Sequence, residues 1–198
     1  MTRIAVLVSG GGTNLQSLID AWKKNELGGG ELVLVISSVP GAFALERAKK
    51  AGIKTQILDK KEYKDFNAFD NALADLLSEN FIDLVVLAGF LSIIGTNVLK
   101  DYENKIINVH PSLIPSFCGK GFYGIRVHEE AIKKGVKITG ATVHFVDSVI
   151  DGGKIILQKA VNVLPDDTPE TLQQRVMEEA EWVLLPQAVS MFCKGEIQ

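Results

Sequence analysis

The sequence predicts an α/β protein: a Rossmann-like, mostly parallel twisted sheet with helices on both faces and an antiparallel pair of strands near the C-terminus. Short apolar runs rich in β-branched residues alternate along the chain with amphipathic stretches of helical period. Continuous apolar strands between helices are typical of a parallel sheet that is covered on both faces. From Thr142 onward the residues alternate in a strand pattern, and a second strand follows. This part of the chain is expected to form an antiparallel pair.

The first unit is predicted to be a strand, a glycine loop and a helix. An apolar run from Ile4 to Val8 stops at the segment Ser9-Gly10-Gly11-Gly12. Beyond this loop the apolar residues recur at helical spacing, namely Leu15, Leu18, Ile19 and Trp22. The same alternation predicts strands at 32–36, 55–58, 82–88 and 106–109, with helices at 44–51 and through 66–77.

The C-terminal part is organised differently. The segment from Pro111 to Gly124 is rich in Pro, Gly and Ser and has no periodicity, so we expect a functional loop there. Strands are predicted around 142–146 and at 155–163, on either side of the turn Asp151-Gly152-Gly153, and this pair is expected to be antiparallel. Thr168 and Pro169 predict the start of a terminal helical stretch, which Pro186 is expected to kink or divide.

Length and composition predict a single domain over residues 1–198, with 46% hydrophobic residues to form a core. The chain has 21 Lys and Arg and 24 Asp and Glu, and it contains no block of like charge. This balance argues against a nucleic-acid or membrane partner. No apolar run approaches the roughly twenty residues that span a bilayer, and no signal sequence is recognised, so a cytoplasmic location is expected. A phosphorylated small molecule remains a possible ligand, because a helix N-terminus can bind phosphate.

Cysteine and histidine spacing does not favour a metal site. Cys118 and Cys193 form no CxxC motif, so neither a disulfide framework nor a structural zinc is expected. His110, His128 and His144 lack the short spacing of a zinc motif. Cys118 lies in a glycine-rich loop, but no feature indicates an activated thiolate. We therefore expect no metal and an incidental thiol.

The loop from Ser9 to Asn14 joins a strand to a helix. Its glycines would let backbone N–H groups approach an anion at the positive end of the helix, which predicts phosphate binding. The loop matches neither GxGxxG nor the P-loop pattern, and a nicotinamide dehydrogenase is disfavoured for that reason. The alternative interpretation is a tight glycine turn in which Thr13 caps the helix.

Asn108 and His110 are predicted at the carboxyl end of a buried strand, two residues apart and therefore on one side of it. An amide and an imidazole in this position could stabilise an oxyanion or move a proton. Asp151 could orient or charge-stabilise a histidine. The alternatives are that Asn108 and His110 are turn residues around Pro111, and that Asp151 belongs to an Asp-Gly hairpin turn.

Four segments together resemble one family in their order along the chain: SGGGTNLQSL, VVLAGFLSII, INVHPSLIPSF and HFVDSVIDGGKIILQ. They look like the phosphoribosylglycinamide formyltransferase family of the folate-dependent formyl-transfer superfamily. The resemblance implies a catalytic trio of Asn108, His110 and Asp151. It also implies a phosphate loop of Gly11, Gly12, Thr13 and Asn14.

Further site residues follow from the same resemblance. It implies a folate-binding region of two segments, formed by Leu87, Ala88, Gly89, Phe90, Leu91, Ser92, Ile93 and Ile94 and by Val146, Asp147, Ser148, Val149 and Ile150. A glutamate that binds the substrate sugar matches Glu181, with Glu179 as the alternative because the chain has an apparent extra residue after Arg175. His144 fits the family's HFV strand and is expected to be structural.

The chain departs from the family pattern at two further places. The segment CGKGFYGIRVHE after Phe117 is longer than the PGLHxH-type stretch common in the family, and Ser92 stands where some members carry Arg.

The activity implied by the resemblance is transfer of the formyl group of 10-formyltetrahydrofolate to the amine of 5'-phosphoribosylglycinamide in de novo purine (IMP) biosynthesis. Direct attack through a tetrahedral intermediate is expected, with Asn108 and protonated His110 donating to the oxyanion and Asp151 holding the imidazolium. The partners are then two small molecules, and the protein is expected to be a monomer or homodimer. The alternatives are a formyltetrahydrofolate hydrolase and a non-catalytic module that binds folate or a phosphorylated ligand.

Overall fold

The computed structural model describes residues 1–198, and its strands and helices alternate along most of the chain. The strands are β1 (Thr2–Val8), β2 (Gly30–Ser37), β3 (Lys54–Ile57), β4 (Leu84–Leu87), β5 (Ile106–His110), β6 (Ile138–Phe145) and β7 (Ile155–Asn162). The helices are α1 (Thr13–Lys23), α2 (Phe43–Lys50), α3 (Phe66–Glu79), α4 (Thr96–Asp101), α5 (Ile125–Lys134), α6 (Pro169–Val176) and α7 (Trp182–Cys193). A 3-10 turn spans Lys60–Glu62, and a π-helical turn spans Met177–Glu181 between α6 and α7.

The seven strands form one sheet in the order β3-β2-β1-β4-β5-β6-β7. The first five strands in this order pair in parallel, and both β5–β6 and β6–β7 are antiparallel. The predicted fold class is therefore confirmed. The antiparallel part is larger than expected, because β6 runs against β5 as well as against β7.

Helices cover both faces of the sheet, and successive strand residues contribute to opposite faces. Ile4 and Val6 of β1 join a core cluster with α1, α2, α6 and α7, which we call the α1 face. Ala5 and Leu7 join a second cluster with α3 and α4, which we call the α3 face. This alternation determines which face a polar residue of β5 occupies.

Side chains define where two of the predicted helices begin. Asp65 caps α3 by accepting a hydrogen bond of 2.7 Å from the Ala68 N–H. Thr168 caps α6, with its hydroxyl accepting from the Thr171 N–H and with Pro169 in the first turn. The predicted start of the terminal helical stretch is confirmed.

Other details differ from the sequence predictions. Pro186 lies inside α7, and the terminal stretch is divided upstream at the π-helical turn. The helices α4 and α5 were not predicted. Asp151 lies within a nine-residue connection between β6 and β7, so an Asp-Gly hairpin turn that joins the strands directly is wrong. No helix has both the length and the apolar character needed to cross a membrane.

Candidate active site

The predicted site residues gather near one edge of the sheet. β1, β4 and β5 are parallel, so the segments that follow them leave at the same edge, where open α/β sheets bind ligands. The glycine loop follows β1, the segment from Leu87 follows β4, and Asn108 and His110 lie at the end of β5. A hydrogen bond of 2.9 Å from the Leu91 N–H to Ser9 Oγ joins the first two segments.

Asn108 contacts a histidine of the neighbouring strand. Asn108 lies opposite His144 in the β5–β6 register, and Nδ2 of Asn108 is 3.1 Å from His144 Nε2. Nδ1 of His144 lies 2.8 Å from the Phe145 carbonyl oxygen, which can only accept, so Nδ1 carries the proton of the neutral ring. Nε2 then accepts from Asn108, and this contact fixes the orientation of the amide. The second N–H of the Asn108 amide remains available for a ligand.

His144 was expected to be structural, but the structure places it against Asn108. The contact depends on the pairing register of β5 with β6, and this register could not be predicted from the sequence patterns. The only signal in the sequence was the alternation of His144 with Val143 and Phe145, which puts the histidine on the opposite face from these apolar neighbours.

His110 is buried, and both of its ring nitrogens have neighbours. Nε2 lies 2.9 Å from the Phe117 carbonyl oxygen and donates to it. Nδ1 lies 3.7 Å from Asp151 Oδ2, too far for a direct hydrogen bond. Burial lowers the pKa of His110 below its usual value, although the Asp151 carboxylate and the Phe117 carbonyl oppose this effect. The ring is therefore neutral at pH 7, and Nδ1, facing Asp151, is the nitrogen that can take up a proton.

Asp151 lies between the two histidines. Its Oδ2 accepts a hydrogen bond of 2.8 Å from the Gly119 N–H, and its Oδ1 lies 3.7 Å from His144 Nε2. Burial acts to raise the pKa of Asp151, but His144, His110 and the Gly119 N–H together outweigh burial and lower this pKa. Its backbone φ of +55° lies in the left-handed region, which Asp and Asn tolerate better than most residues. Asp151 is thus a carboxylate at neutral pH.

The loop from Pro111 to Gly124 folds over this cluster. Its Phe117 carbonyl contacts His110, and its Gly119 N–H contacts Asp151. The loop is tied to β6 through Thr142, whose hydroxyl accepts from the Ile114 N–H. Neither nitrogen of His110 faces an open position in this arrangement, so direct donation from Nε2 to a ligand requires the Phe117 carbonyl to move away.

The glycine loop has the geometry of an anion site. Gly12 is the N-cap of α1 with φ of 72° and ψ of 36°, and a Cβ there would lie 2.6 Å from Ala44 Cβ. A Cβ on Gly10 or Gly11 would meet no atom within 4 Å. The first helical bond runs from the Gln16 N–H to the Gly12 carbonyl, so the N–H groups before Gln16 have no intrahelical partner. Such an open helix N-terminus suits a phosphate.

Thr13 does not cap α1, so the part of the alternative interpretation that makes Thr13 the helix cap is wrong. The cap residue is Gly12, and no side chain makes a capping hydrogen bond at the start of α1. The Thr13 hydroxyl instead lies 3.7 Å from Met177 Sδ, in the π-helical turn.

The π-helical turn also places Glu181 at the loop. Glu181 is buried, and its Oε2 accepts a hydrogen bond of 2.6 Å from Asn14 Nδ2. Burial raises the pKa of Glu181 to about 7, while the Asn14 amide acts in the opposite direction. Glu179, the alternative sugar-binding residue, is exposed. Val176 and Ala180, on either side of the start of this turn, both remain in the core.

The two segments expected to bind folate lie beside Asn108. Leu87 pairs with Asn108, and the Val146 N–H donates to the Ile106 carbonyl, so the segments flank β5 on its two sides. Leu87 belongs to the core cluster of the α3 face, and Phe90 and Val146 pack against it. Four further apolar side chains of these segments are exposed: Leu91, Ile93, Val149 and Ile150.

A surface groove of about 790 Å³ lies elsewhere, between α1 and α7. It reaches the site only at Thr13 and contains none of Asn108, His110 and Asp151. The groove is therefore separate from the cluster of Asn108, His110 and Asp151, which lies at the end of β5 and under the loops that follow it.

The structure contains no group of three or more His, Cys, Asp or Glu side chains that could hold a metal ion. Cys118 donates from Sγ to the Pro115 carbonyl at 3.3 Å, and burial together with Asp151 raises the pKa of its thiol. A raised pKa disfavours the thiolate. Cys193 is also a free cysteine.

The chain matches the family model described as Formyl transferase over residues 2–189. The chain therefore belongs to the formyl transferase family. Over 198 residues it is 36% identical to phosphoribosylglycinamide formyltransferase of Haemophilus influenzae, covering 100% of this chain and 90% of the relative. The resemblance expected from the sequence is confirmed.

Solved structures and longer relatives agree with this assignment. A crystal structure of glycinamide ribonucleotide transformylase 1 from Symbiobacterium toebii superposes with a TM-score of 0.92 at 42% identity, covering 98% of this chain and 89% of that one. The trifunctional purine biosynthetic protein adenosine-3 of Gallus gallus is 43% identical over 99% of this chain. The chain spans 19% of the length of that trifunctional relative.

Proposed function

We propose that this protein transfers the formyl group of 10-formyltetrahydrofolate to the amine of 5'-phosphoribosylglycinamide, a step of purine biosynthesis. The observation that carries the proposal is the cluster of Asn108, His110, His144 and Asp151, which lies beside an anion-binding loop and two apolar segments. The anion-binding loop suits the phosphate of the amine substrate. The two apolar segments suit the flat, partly apolar formyl donor.

The residues present fit a folate. The exposed side chains of Leu91 and Ile93 on one segment and Val149 and Ile150 on the other offer apolar surface on both sides of β5. Exposed apolar side chains grouped at the mouth of a site are typical of ligand-binding clefts. We propose that the segments 87–94 and 146–150 hold the pterin ring between them, close to Asn108.

The formyl donor supplies an acyl carbon that the amine of the ribonucleotide attacks, so negative charge develops on the formyl oxygen. The free N–H of Asn108 is the donor placed to stabilise that charge, while its other N–H remains bonded to His144. Because His144 fixes the amide, the donor is oriented before the substrates arrive. A preorganised donor of this kind needs no reorganisation during the reaction.

We propose that His110 and Asp151 handle the proton. Nδ1 of His110 faces the Asp151 carboxylate, so an imidazolium formed there gains a neighbouring negative charge. Release of Nε2 from the Phe117 carbonyl would then let the ring donate to the formyl oxygen. The proton lost by the attacking amine can pass through this pair to the leaving nitrogen.

At the other end of the site, the N–H groups of the loop Gly11, Gly12, Thr13 and Asn14 would bind the phosphate, and Glu181 would bind the ribose.

We also propose that residues 1–198 act as a single formyltransferase domain in the cytoplasm, as a monomer or homodimer. Its substrates are small molecules, and it uses no metal and no nucleic-acid or membrane partner. One continuous sheet carries every residue segment of the site, which supports a single domain.

The experiment measures formyl transfer from 10-formyltetrahydrofolate by purified protein with three acceptors: glycinamide ribonucleotide, its unphosphorylated riboside, or none. Formylated product with the ribonucleotide, and far less with the riboside, is the expected result. Free formate and tetrahydrofolate in the absence of an acceptor would favour a hydrolase. Folate binding without turnover under any condition would favour a non-catalytic module.

A further inference from the structure

The segment between β4 and α4, which is proposed to hold the pterin ring, has few contacts that fix its backbone. No backbone group from Gly89 to Ile94 makes a hydrogen bond to another backbone group. The side chains of Leu91 and Ile93 are 64% and 61% exposed, so packing does not fix this part of the chain either. Such a segment keeps one conformation only if side chains from other elements hold its backbone.

A serine holds the middle of the segment. The Leu91 N–H donates to Ser9 Oγ at 2.9 Å, and Ser9 Oγ lies 2.6 Å from Ser38 Oγ. Ser9 follows β1 and Ser38 follows β2, and these two strands pair with each other. Both serines are buried. Leu91 is therefore tied, through Ser9, to the ends of two strands of the sheet.

A buried carboxylate holds the end of the segment. Asp70 lies in α3 and is 1% exposed. Its Oδ1 accepts from the Gly95 N–H and its Oδ2 accepts from the Asn97 N–H, each at 2.9 Å. Gly95 approaches so closely that a Cβ there would collide with the Asp70 carboxyl group. Both oxygens are thus occupied, and the side chain is closed off from substrates.

These two contacts account for the position of Asp70. No salt bridge of the structure includes this residue. A buried carboxylate costs free energy unless hydrogen bonds satisfy it, and here two backbone N–H groups do so. The helix α4 has six residues and no capping hydrogen bond from its own N-cap side chain. Asp70 therefore fixes the start of α4 and, at the same place, the end of the segment that precedes it.

We propose that Asp70 and Ser9 are positioning residues for the formyl donor, which hold the segment 87–94 in the shape that receives the pterin ring. The proposal rests on the proposed function, in which this segment binds folate. The two side chains act through the N–H groups of Leu91 and Gly95, the only ones from Gly89 to Gly95 that have a hydrogen-bond partner. The segment is then ordered before the donor arrives, so binding does not have to order it.

The test uses Asp70→Asn, which keeps the shape of the side chain. An amide has one acceptor oxygen, so the N–H of either Gly95 or Asn97 must face an NH2 group. The Kd for tetrahydrofolate, the donor without its formyl group, should rise about tenfold or more, as expected when a hydrogen bond to a buried charged group is lost. Calorimetric titration measures this Kd. The KM for glycinamide ribonucleotide should stay close to that of the wild type, because the segment does not form the phosphate loop.

Asp75→Asn, at an exposed position of the same helix, is the matched control and should leave the affinity for both substrates unchanged. Hydrogen exchange of the free protein gives a second measurement that needs no ligand. The amides of Gly95 and Asn97 should exchange faster in Asp70→Asn than in the wild type or in Asp75→Asn, because their acceptor is weakened.

Two results would overturn the proposal. Unchanged tetrahydrofolate binding by folded Asp70→Asn would mean that Asp70 only caps α4. Equal losses of affinity for tetrahydrofolate and for the ribonucleotide would mean that Asp70 supports the fold as a whole. If circular dichroism shows that Asp70→Asn does not fold, Ser9→Ala removes the other contact. That variant should show the same selective loss of tetrahydrofolate binding, and normal binding would reject the proposal.

The proposed function and the role of these two side chains fail in different ways. Wild-type protein that neither binds tetrahydrofolate nor forms product would reject the proposed function. Wild-type protein that does both, while Asp70→Asn and Ser9→Ala bind tetrahydrofolate normally, would reject only the positioning role of Asp70 and Ser9.

Discussion

Backbone carbonyls determine the protonation pattern of the two histidines in the site. The Phe145 carbonyl requires a proton on Nδ1 of His144, and the Phe117 carbonyl requires one on Nε2 of His110. The neutral rings therefore present opposite unprotonated nitrogens. His144 can accept from Asn108, and His110 can accept a proton on the side of Asp151. Two identical side chains thus acquire different capabilities from their carbonyl partners.

Asn108→Ala should lower kcat by about two to three orders of magnitude, the range observed when one preorganised oxyanion donor is lost. The matched control is Asn162→Ala, which removes the same side chain from an exposed position of β7. The rate of formyl transfer at saturating substrate concentrations distinguishes Asn108→Ala from this control. A fall of only a few fold in Asn108→Ala would show that this amide is not the principal donor.

Asp151→Asn should lower the pKa of His110 further, since the carboxylate is the neighbour that opposes the effect of burial on this ring. The left-handed backbone at Asp151 accepts Asn, so the variant should fold. Histidine NMR titration measures the pKa directly. Asp147→Asn in the same connection is the control and should leave the His110 pKa unchanged; an unchanged value in both variants contradicts the assigned coupling.

At the scale of elements, the glycine loop and α1 act together. The left-handed conformation of Gly12 turns the chain from β1 into α1, and Ala44 of α2 packs where a side chain would be. The open helix N-terminus thus depends on close approach of two helices, which only glycine permits here.

Gly12→Ala should destabilise the protein by about 1–2 kcal/mol from the left-handed backbone alone, with the contact to Ala44 adding to that. It should also raise KM for the ribonucleotide, because the N–H groups of the loop move. Urea denaturation and steady-state kinetics measure the two effects. Gly10→Ala, where a Cβ meets open space, should be close to wild type. Equal effects of both substitutions would mean that loop flexibility, and not this contact, matters.

Sequence patterns predicted some elements well and missed others for identifiable reasons. The apolar strands β1, β4 and β5 were found because they are buried on both faces, which gives continuous apolar runs. The helix α5 was missed because one of its buried positions is His128, which does not count as apolar. The six-residue helix α4 is too short for a periodic signal. The terminal stretch is divided at the π-helical turn, whereas Pro186 lies inside α7.

The site could be predicted in part. The spacing of Asn108 and His110 at a strand end was sufficient to place both on one face near the ligand-binding edge. The contacts of His110 with the Phe117 carbonyl and of Asp151 with the Gly119 N–H involve backbone atoms of an irregular loop. Such contacts have no side-chain signature in the sequence, and they become visible only when the loop is folded over the sheet.

At the scale of the whole molecule, folding buries one histidine without hydrogen-bond partners for its ring nitrogens. His128 is fully buried, and neither ring nitrogen has a hydrogen-bond partner in the structure. Burial, with a smaller effect of His110, lowers the pKa of His128 to about 4. In the unfolded chain the pKa would be near the usual value of about 6.5. Between these two pH values the unfolded chain binds a proton that the folded protein excludes.

The contribution of His128 to the free energy of unfolding should therefore be nearly constant above pH 6.5. It should fall as the pH decreases toward 4. His128 alone should account for a loss of about 2–3 kcal/mol at pH 4.5 relative to pH 7.5. Urea denaturation at both pH values measures this difference, which should shrink by that amount in His128→Leu. Thr139→Val, which removes another buried and unpaired polar atom but does not titrate, should keep the wild-type difference. Carboxylates contribute equally in all three proteins, so an undiminished pH dependence in His128→Leu would mean that the folded protein accommodates the charged ring.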